Sequence, residues 1–153
     1  MDMREKVSAA LKQAMKAKDA ERLGTLRLVN AAIKDRDIAL RGTDGEGQCG
    51  DAEVTAILSK MVKQRRESAR AYEEGGRLEL AEQELREIAV IEEFLPRQMT
   101  PKEVDAAIGA AIDGTGATSI RDMGRVMGAL KSRHAGRMDF AAAGPKVKQR
   151  LAG

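Results

Sequence analysis

Between Ser119 and Gly153 the chain gathers side chains able to hold an anion. Arg121, Arg125, Lys131, Arg133, Arg137, Lys146, Lys148 and Arg150 stand against only Asp122 and Asp139. Cations of one sign without interleaved acids set up a local positive field that suits a polyanion, and arginine can hold a phosphate through two parallel hydrogen bonds. Overall composition hides this polarity: 27 Lys and Arg against 24 Asp and Glu give a net charge of +3, yet the residues before Ser119 keep 19 basic against 22 acidic groups.

Within the basic segment, a helix from Ile120 to about Ser132 would place Arg121, Gly124, Arg125, Gly128 and Ser132 on one face and Met123, Val126, Met127 and Leu130 on another. Glycine in a helix interior costs about 0.5–1 kcal/mol relative to alanine, so two of them four residues apart imply a close approach. Either a second helix packs against the pair, or the groove beside Arg121 and Arg125 admits a phosphate backbone. Ala129 and Leu130 favour packing at Gly128, and the flanking arginines favour a ligand at Gly124. His134, on the turn ending at Gly136, is the only histidine. With no second imidazole to share a metal, it reads as a turn residue or a phosphate neighbour.

A second basic strip, Lys63, Arg65, Arg66 and Arg70, is followed by Glu67, Glu73, Glu74, Glu79, Glu82, Glu84 and Glu87. Salt-laced solvent exposure is the simplest reading of such a mixture. The other is an extension of a nucleic-acid footprint, or a grip on a partner protein.

The chain has no P-loop, no Gly-x-Ser-x-Gly elbow, no His-Glu-x-x-His pair and no dinucleotide-binding glycine fingerprint. Cys49 is the single cysteine, which excludes an intramolecular disulfide and a thiolate zinc cluster. Cys49 and His134 as nucleophile and base would have to meet from two different predicted domains. The expectation is therefore no catalytic residues, no cofactor and no metal. The Met1-Asp-Met-Arg-Glu-Lys start, charges interrupting every long apolar window and a lone cysteine suggest a soluble, cytoplasmic protein without a membrane partner. Aromatic residues number three, Tyr72, Phe94 and Phe140. Stacking on single-stranded bases is correspondingly disfavoured, and phosphate and shape contacts would have to serve.

The elements that must position these residues are helices, since Ala, Leu, Glu, Lys, Arg and Met dominate. Apolar spacing predicts an N-terminal domain, residues 1–95, of about four helices: roughly 2–17, 20–40, one capped by Asp51 and stopped by Gly75-Gly76, and 78–95. Asp19 caps the second, although one bent helix over 2–40 also fits. The glycine-rich stretch Arg41 to Gly50 predicts a mobile loop without the ligand spacing of an EF-hand. After the connector Pro96 to Met99, read as a hinge, Thr100-Pro101-Lys102-Glu103 spells a capping box with proline at the first helical position. That opens a three-helix C-terminal domain, residues 97–153. Ser119 and Asp122 form its next capping box, and Gly144-Pro145 should interrupt its last helix.

Several stretches together resemble the YqeY-like family over nearly the whole chain. They are Leu26 to Lys34, Lys63-Gln64-Arg65-Arg66-Glu67-Ser68 leading to Tyr72 and Gly76-Arg77, Glu93-Phe94-Leu95-Pro96, and Asp122 to Gly128 followed by Gly136-Arg137. Arg125 stands where lysine is usual, and Met138 and Phe140 replace smaller residues. The resemblance implies a helical N-terminal domain and a three-helix domain similar to the tail of the B subunit of aspartyl/glutamyl-tRNA amidotransferase, a part associated with holding tRNA. The function it implies is a non-catalytic tRNA-binding or amidotransferase-associated accessory role. Arg121, Gly124, Arg125, Gly128, Lys131, Arg133, His134, Arg137, Lys146, Lys148 and Arg150 are the candidate RNA contacts. Partners would be tRNA and an aminoacyl-tRNA-related protein, with no DNA specificity. Alternatives are a module gripping an acidic protein surface, and a glutamine-dependent carbon-nitrogen ligase subunit active only in a complex.

Overall fold

Residues 2–41 and 49–153 are described by the computed structural model of the chain. Among them are seven α-helices and no strand, so the fold is all-α. The middle of the glycine-rich stretch, residues 42–48, for which a mobile loop was the expectation, lies outside the described residues. The chain divides into two compact units, Met1–Pro96 and Arg97–Gly153.

The first unit holds α1 (Met3–Ala17), α2 (Ala20–Leu40), α3 (Asp51–Glu74) and α4 (Leu78–Glu92). Asp2 caps α1 by accepting the Glu5 N–H at 2.8 Å, and Asp19 caps α2 by accepting the Arg22 N–H at 3.2 Å. Between them Lys18 takes a left-handed φ of 55°, so α1 and α2 are two helices and not one bent one. Asp51 does not cap its own helix. Gly50 occupies that position, and the Asp51 carboxylate instead accepts the Met3 N–H at the start of α1, 3.1 Å away. Sequence spacing cannot reveal a cap donated to a helix 48 residues away.

Val7, Val29, Ile33, Val54, Leu58, Ile88 and Ile91 form the core of this unit, with Cys49 buried among them. The Cys49 thiol lies 3.7 Å from the Ile33 carbonyl, placed to donate to it, and burial pushes its pKa up. That is the environment of an inert structural cysteine. At the edge of this core one carboxylate does two jobs: Asp37 pairs with Arg4 of α1 and accepts the Cys49 N–H at 2.8 Å. The Arg4 hydrogen bond, foremost, holds the Asp37 carboxyl below its usual range.

The second unit holds α5 (Pro101–Thr115), a 3-10 turn (Ile120–Asp122), α6 (Met123–His134) and α7 (Phe140–Ala152). Its core is Ile108, Ala111, Val126, Leu130, Met138, Ala143 and Val147. Both capping boxes form: Thr100 with Glu103 opens α5, and Ser119 with Asp122 opens the 3-10 turn. The sequence-predicted break at Gly144-Pro145 is absent, because α7 runs through Pro145. Proline removes one N–H there, while Ala143, Gly144 and Val147 are buried and keep the helix seated. Nor is the connector free beyond Pro96. Met99 N–H donates to the Arg137 carbonyl at 2.9 Å and Gln98 Nε2 to the Gly136 carbonyl at 2.6 Å, so residues 97–99 belong to the second unit.

Replacing Asp37 by Ala strands both Arg4 and the Cys49 N–H. The expected loss in chemical denaturation is about 1.5–3 kcal/mol, the range for hydrogen bonds to a charged group. A loss below about 0.5 kcal/mol would contradict the role assigned to this carboxylate.

Candidate nucleic-acid interface

Which face of α6 is turned outward is decided by its first turn. The Asp122 carboxylate accepts the N–H groups of Thr118 and Ser119 at 2.9 and 3.3 Å and the Arg125 Nη2 at 2.7 Å. Arg125 also donates from Nη1 to the Thr115 carbonyl at 3.0 Å, at the end of α5. Together these bonds tie the last turn of α5 to the first of α6. The bonds to Asp122 hold its pKa down to about 2, the Thr118 N–H foremost and Arg125 next. At the start of α5, two bonds from Arg97 and one from the Thr100 N–H hold Glu103 down to about 2 as well.

With α6 so fixed, Val126 and Leu130 are fully buried, and Met123 and Met127 pack beside them. The opposite face carries Gly124, Arg125, Gly128, Lys131 and Ser132, all exposed, with Arg121 exposed on the preceding turn. A Cβ added at Gly124 or at Gly128 would meet nothing within 4 Å. The expectation that a helix packs against Gly128 is therefore corrected: both glycines floor an open surface. Ala129 and Leu130 suggested burial because the sequence shows which face is apolar but not how far the neighbouring helices wrap around it.

The remaining basic residues separate into groups. Lys131 and Arg133 are exposed and pair with no carboxylate among the described residues, and their place in the last turn of α6 also complements the helix dipole. His134 is half-buried, and its Nδ1 is buried without a hydrogen-bond partner. Arg137 is half-buried and donates from Nε to the Arg97 carbonyl at 2.9 Å, which gives it a fastening role in the fold. On α7, Lys146 reaches to 3.8 Å from Asp105 of α5. Arg150 lies over Gly109 of α5, where an added Cβ would come within 3.1 Å of its Nη1. Lys148, exposed, occupies the other flank, one turn beyond Gly144, which abuts Met123 of α6. The structure thus brings Arg121, Gly124, Arg125, Gly128 and Lys131 onto one surface and turns Lys146 and Arg150 toward α5. Gly109 was not foreseen, since its partner is 41 residues away.

The second strip, on α3, is salt-laced. Arg65 Nε sits 3.4 Å from Glu87 Oε2, too poorly aligned for a hydrogen bond, while its Nη1 donates to the Met61 carbonyl at 3.3 Å. Arg66 lies 3.5 Å from Glu92. Both pairs fasten α3 to α4. Lys63 and Arg70 remain exposed on α3.

Residues 4–151 match the family model described as Yqey-like protein, and the chain belongs to the YqeY-like family. Among curated proteins it is similar to "Altered inheritance of mitochondria protein 41, mitochondrial". The Clavispora lusitaniae protein is 38% identical over 85 residues, 56% of this chain and 46% of the relative. The Vanderwaltozyma polyspora protein is 31% identical over 100 residues, 64% of this chain and 52% of the relative. That of Saccharomyces cerevisiae is 28% identical over 95 residues, 62% and 49%. The chain spans about half the length of these relatives.

Their names overturn the expectation of a cytoplasmic protein, since each is a mitochondrial protein by name. That expectation rested on the charged Met1 to Lys6 stretch, on interrupted apolar windows and on a lone cysteine, none of which distinguishes one reducing compartment from another. No helix among the described residues is long and apolar enough to cross a membrane, and none of their His, Cys, Asp and Glu side chains cluster to hold a metal.

Two outcomes are expected. Gly128→Ala, in a helix interior with open space around it, should stabilise the protein by about 0.5–1 kcal/mol, and Gly124→Ala, in the first turn, by less. A drop in melting temperature for either would place a packing partner on this face. Asp122 and Glu103 have depressed folded-state pKa values, so their stabilisation is full above about pH 4.5 and is lost as pH falls toward 2. Helicity of the second unit, followed by amide exchange, should fall in that window, and Asp122→Asn should flatten the fall. Equal protection at about pH 5 and about pH 2 would contradict the capping account.

Proposed function

We propose that this chain is an accessory RNA-binding protein, with tRNA as the favoured class, that holds its ligand on the exposed face of α6 and performs no chemistry itself. One observation carries the reading: an open, glycine-floored helix face bordered by Arg121, Arg125 and Lys131 in a segment of strong positive charge. Arg125, fixed by Asp122 and Thr115, is pre-organised, and such a guanidinium loses little freedom when it meets a phosphate. Arg121 and Lys131 can reach for the flanking charges. The choice of tRNA follows from the family's likeness to the amidotransferase tail. Mitochondria are the compartment to which the relatives' names point.

Arg125 and Arg137 are poor positions for a test, because both hold the fold. Arg121 and Lys131 are exposed and make no ion pair among the described residues. Converting these two to Ala should leave helicity intact and weaken binding to bulk tRNA in a salt series. The log–log salt slope should fall by about 1.5, given roughly 0.7–0.9 for each phosphate that is no longer neutralised. An unchanged affinity and slope would overturn the mapping. Binding of polyglutamate in place of tRNA would overturn the RNA reading in favour of an acidic protein partner.

A further inference from the structure

We infer that the RNA element this face takes is a double-stranded, A-form segment, gripped across its shallow minor groove through backbone and 2′-hydroxyl contacts and not through its bases. The inference rests on the RNA-binding reading above and names the substrate class of the same surface.

Three features lead to it. The first is the want of a stacking surface. Single strands are held by aromatic platforms on which bases lie. The only aromatic residue in the second unit is Phe140, which is packed against the core. The second is the shape of the face. Gly124 and Gly128 leave the α6 backbone bare over more than one turn, with free space above both. A smooth helix of this kind can lie on a wide, shallow groove. The major groove of A-form RNA is too deep and narrow to be read, whereas its minor groove is wide and displays 2′-hydroxyls. B-form DNA presents the reverse, a major groove that accepts a helix armed with long side chains and a narrow minor groove. The bare face of α6 suits the former. The third is the placing of charge. Arg121 and Arg125 border the glycines toward the start of α6, and Lys131 lies about 9 Å further along the axis than Arg125, at about 1.5 Å per residue. Arg121 at one end of the neutral floor and Lys131 at the other, neither paired with a carboxylate among the described residues, match two phosphate rows flanking a groove. Ser132, exposed on the same face, supplies a hydroxyl able to donate to or accept from a 2′-OH.

The full-length protein should be titrated, at one salt concentration, with a blunt RNA duplex of arbitrary sequence, the DNA duplex of that sequence, and poly(U) of equal phosphate count. Binding to the RNA duplex should be at least tenfold tighter than to either competitor and indifferent to its sequence. Gly128→Leu, whose Cβ has open space around it and whose longer side chain would fill the bare floor, should weaken duplex binding at least tenfold while leaving melting temperature no lower. Equal affinity for duplex RNA and poly(U) would overturn this inference and leave RNA binding standing. Equal affinity for duplex RNA and duplex DNA would overturn the A-form assignment alone. Failure to bind any of the three, or tRNA, would overturn the proposed function and this inference together.

Discussion

The Asp122 carboxylate is the constraint on which the second unit depends. A single acid satisfies two backbone N–H groups at the entry to α6 and anchors Arg125, whose other arm closes the end of α5 through the Thr115 carbonyl. The core residues of that unit are mostly small or β-branched, so a modest apolar core must define three helices. Polar knots at the helix ends then do what a larger core would do by shape alone. The knot and the burial of the apolar face agree on the rotation of α6 about its axis, with Val126 and Leu130 turned inward and Gly124 and Gly128 turned out. The same residues that define the fold thereby define what the fold offers to a ligand.

Charge is handled differently in the two units. In the first, several arginines are neutralised across helix pairs, as Arg65 with Glu87, Arg66 with Glu92, Arg86 with Glu21 and Arg22 with Glu93. The pairs other than Arg65 with Glu87 are exposed enough that each contributes little stability, but together they mute the field of the surface that carries them. In the basic part of the second unit the cations outnumber the acids available to them. Arg121, Lys131, Arg133 and Lys148 stand without a carboxylate partner among the described residues, and unpaired charge costs self-repulsion that a bound polyanion would relieve.

Much of the fold was legible because its signals are local. Helix periodicity and the side-chain caps at Asp19, Thr100 and Ser119 act within about four residues, and the all-α class followed from them. What escaped the sequence acts over distance. Asp51 caps a helix 48 residues earlier, Arg150 covers Gly109, and Arg137 fastens the connector at Arg97. Pro145 was read as a break because proline is judged by its lost N–H, whereas burial of its neighbours decides the outcome. The candidate face was half legible: the helical wheel placed Arg121, Gly124, Arg125 and Gly128 together, but only the packing of α6 against α5 and α7 shows that no helix covers the glycines. Spacing likewise could not reveal that Arg125 and Arg137 have structural duties and that Lys146 and Arg150 face α5.

The central claim is that the bare face of α6 is where the ligand sits. Amide chemical-shift mapping of the full-length, isotopically labelled protein titrated with bulk tRNA tests it most directly. The account predicts that the largest perturbations fall at Gly124, Arg125, Gly128, Lys131 and Ser132, with Val126 and Leu130 little changed. Perturbations confined to α1–α4, or spread evenly over every exposed lysine and arginine, would contradict it.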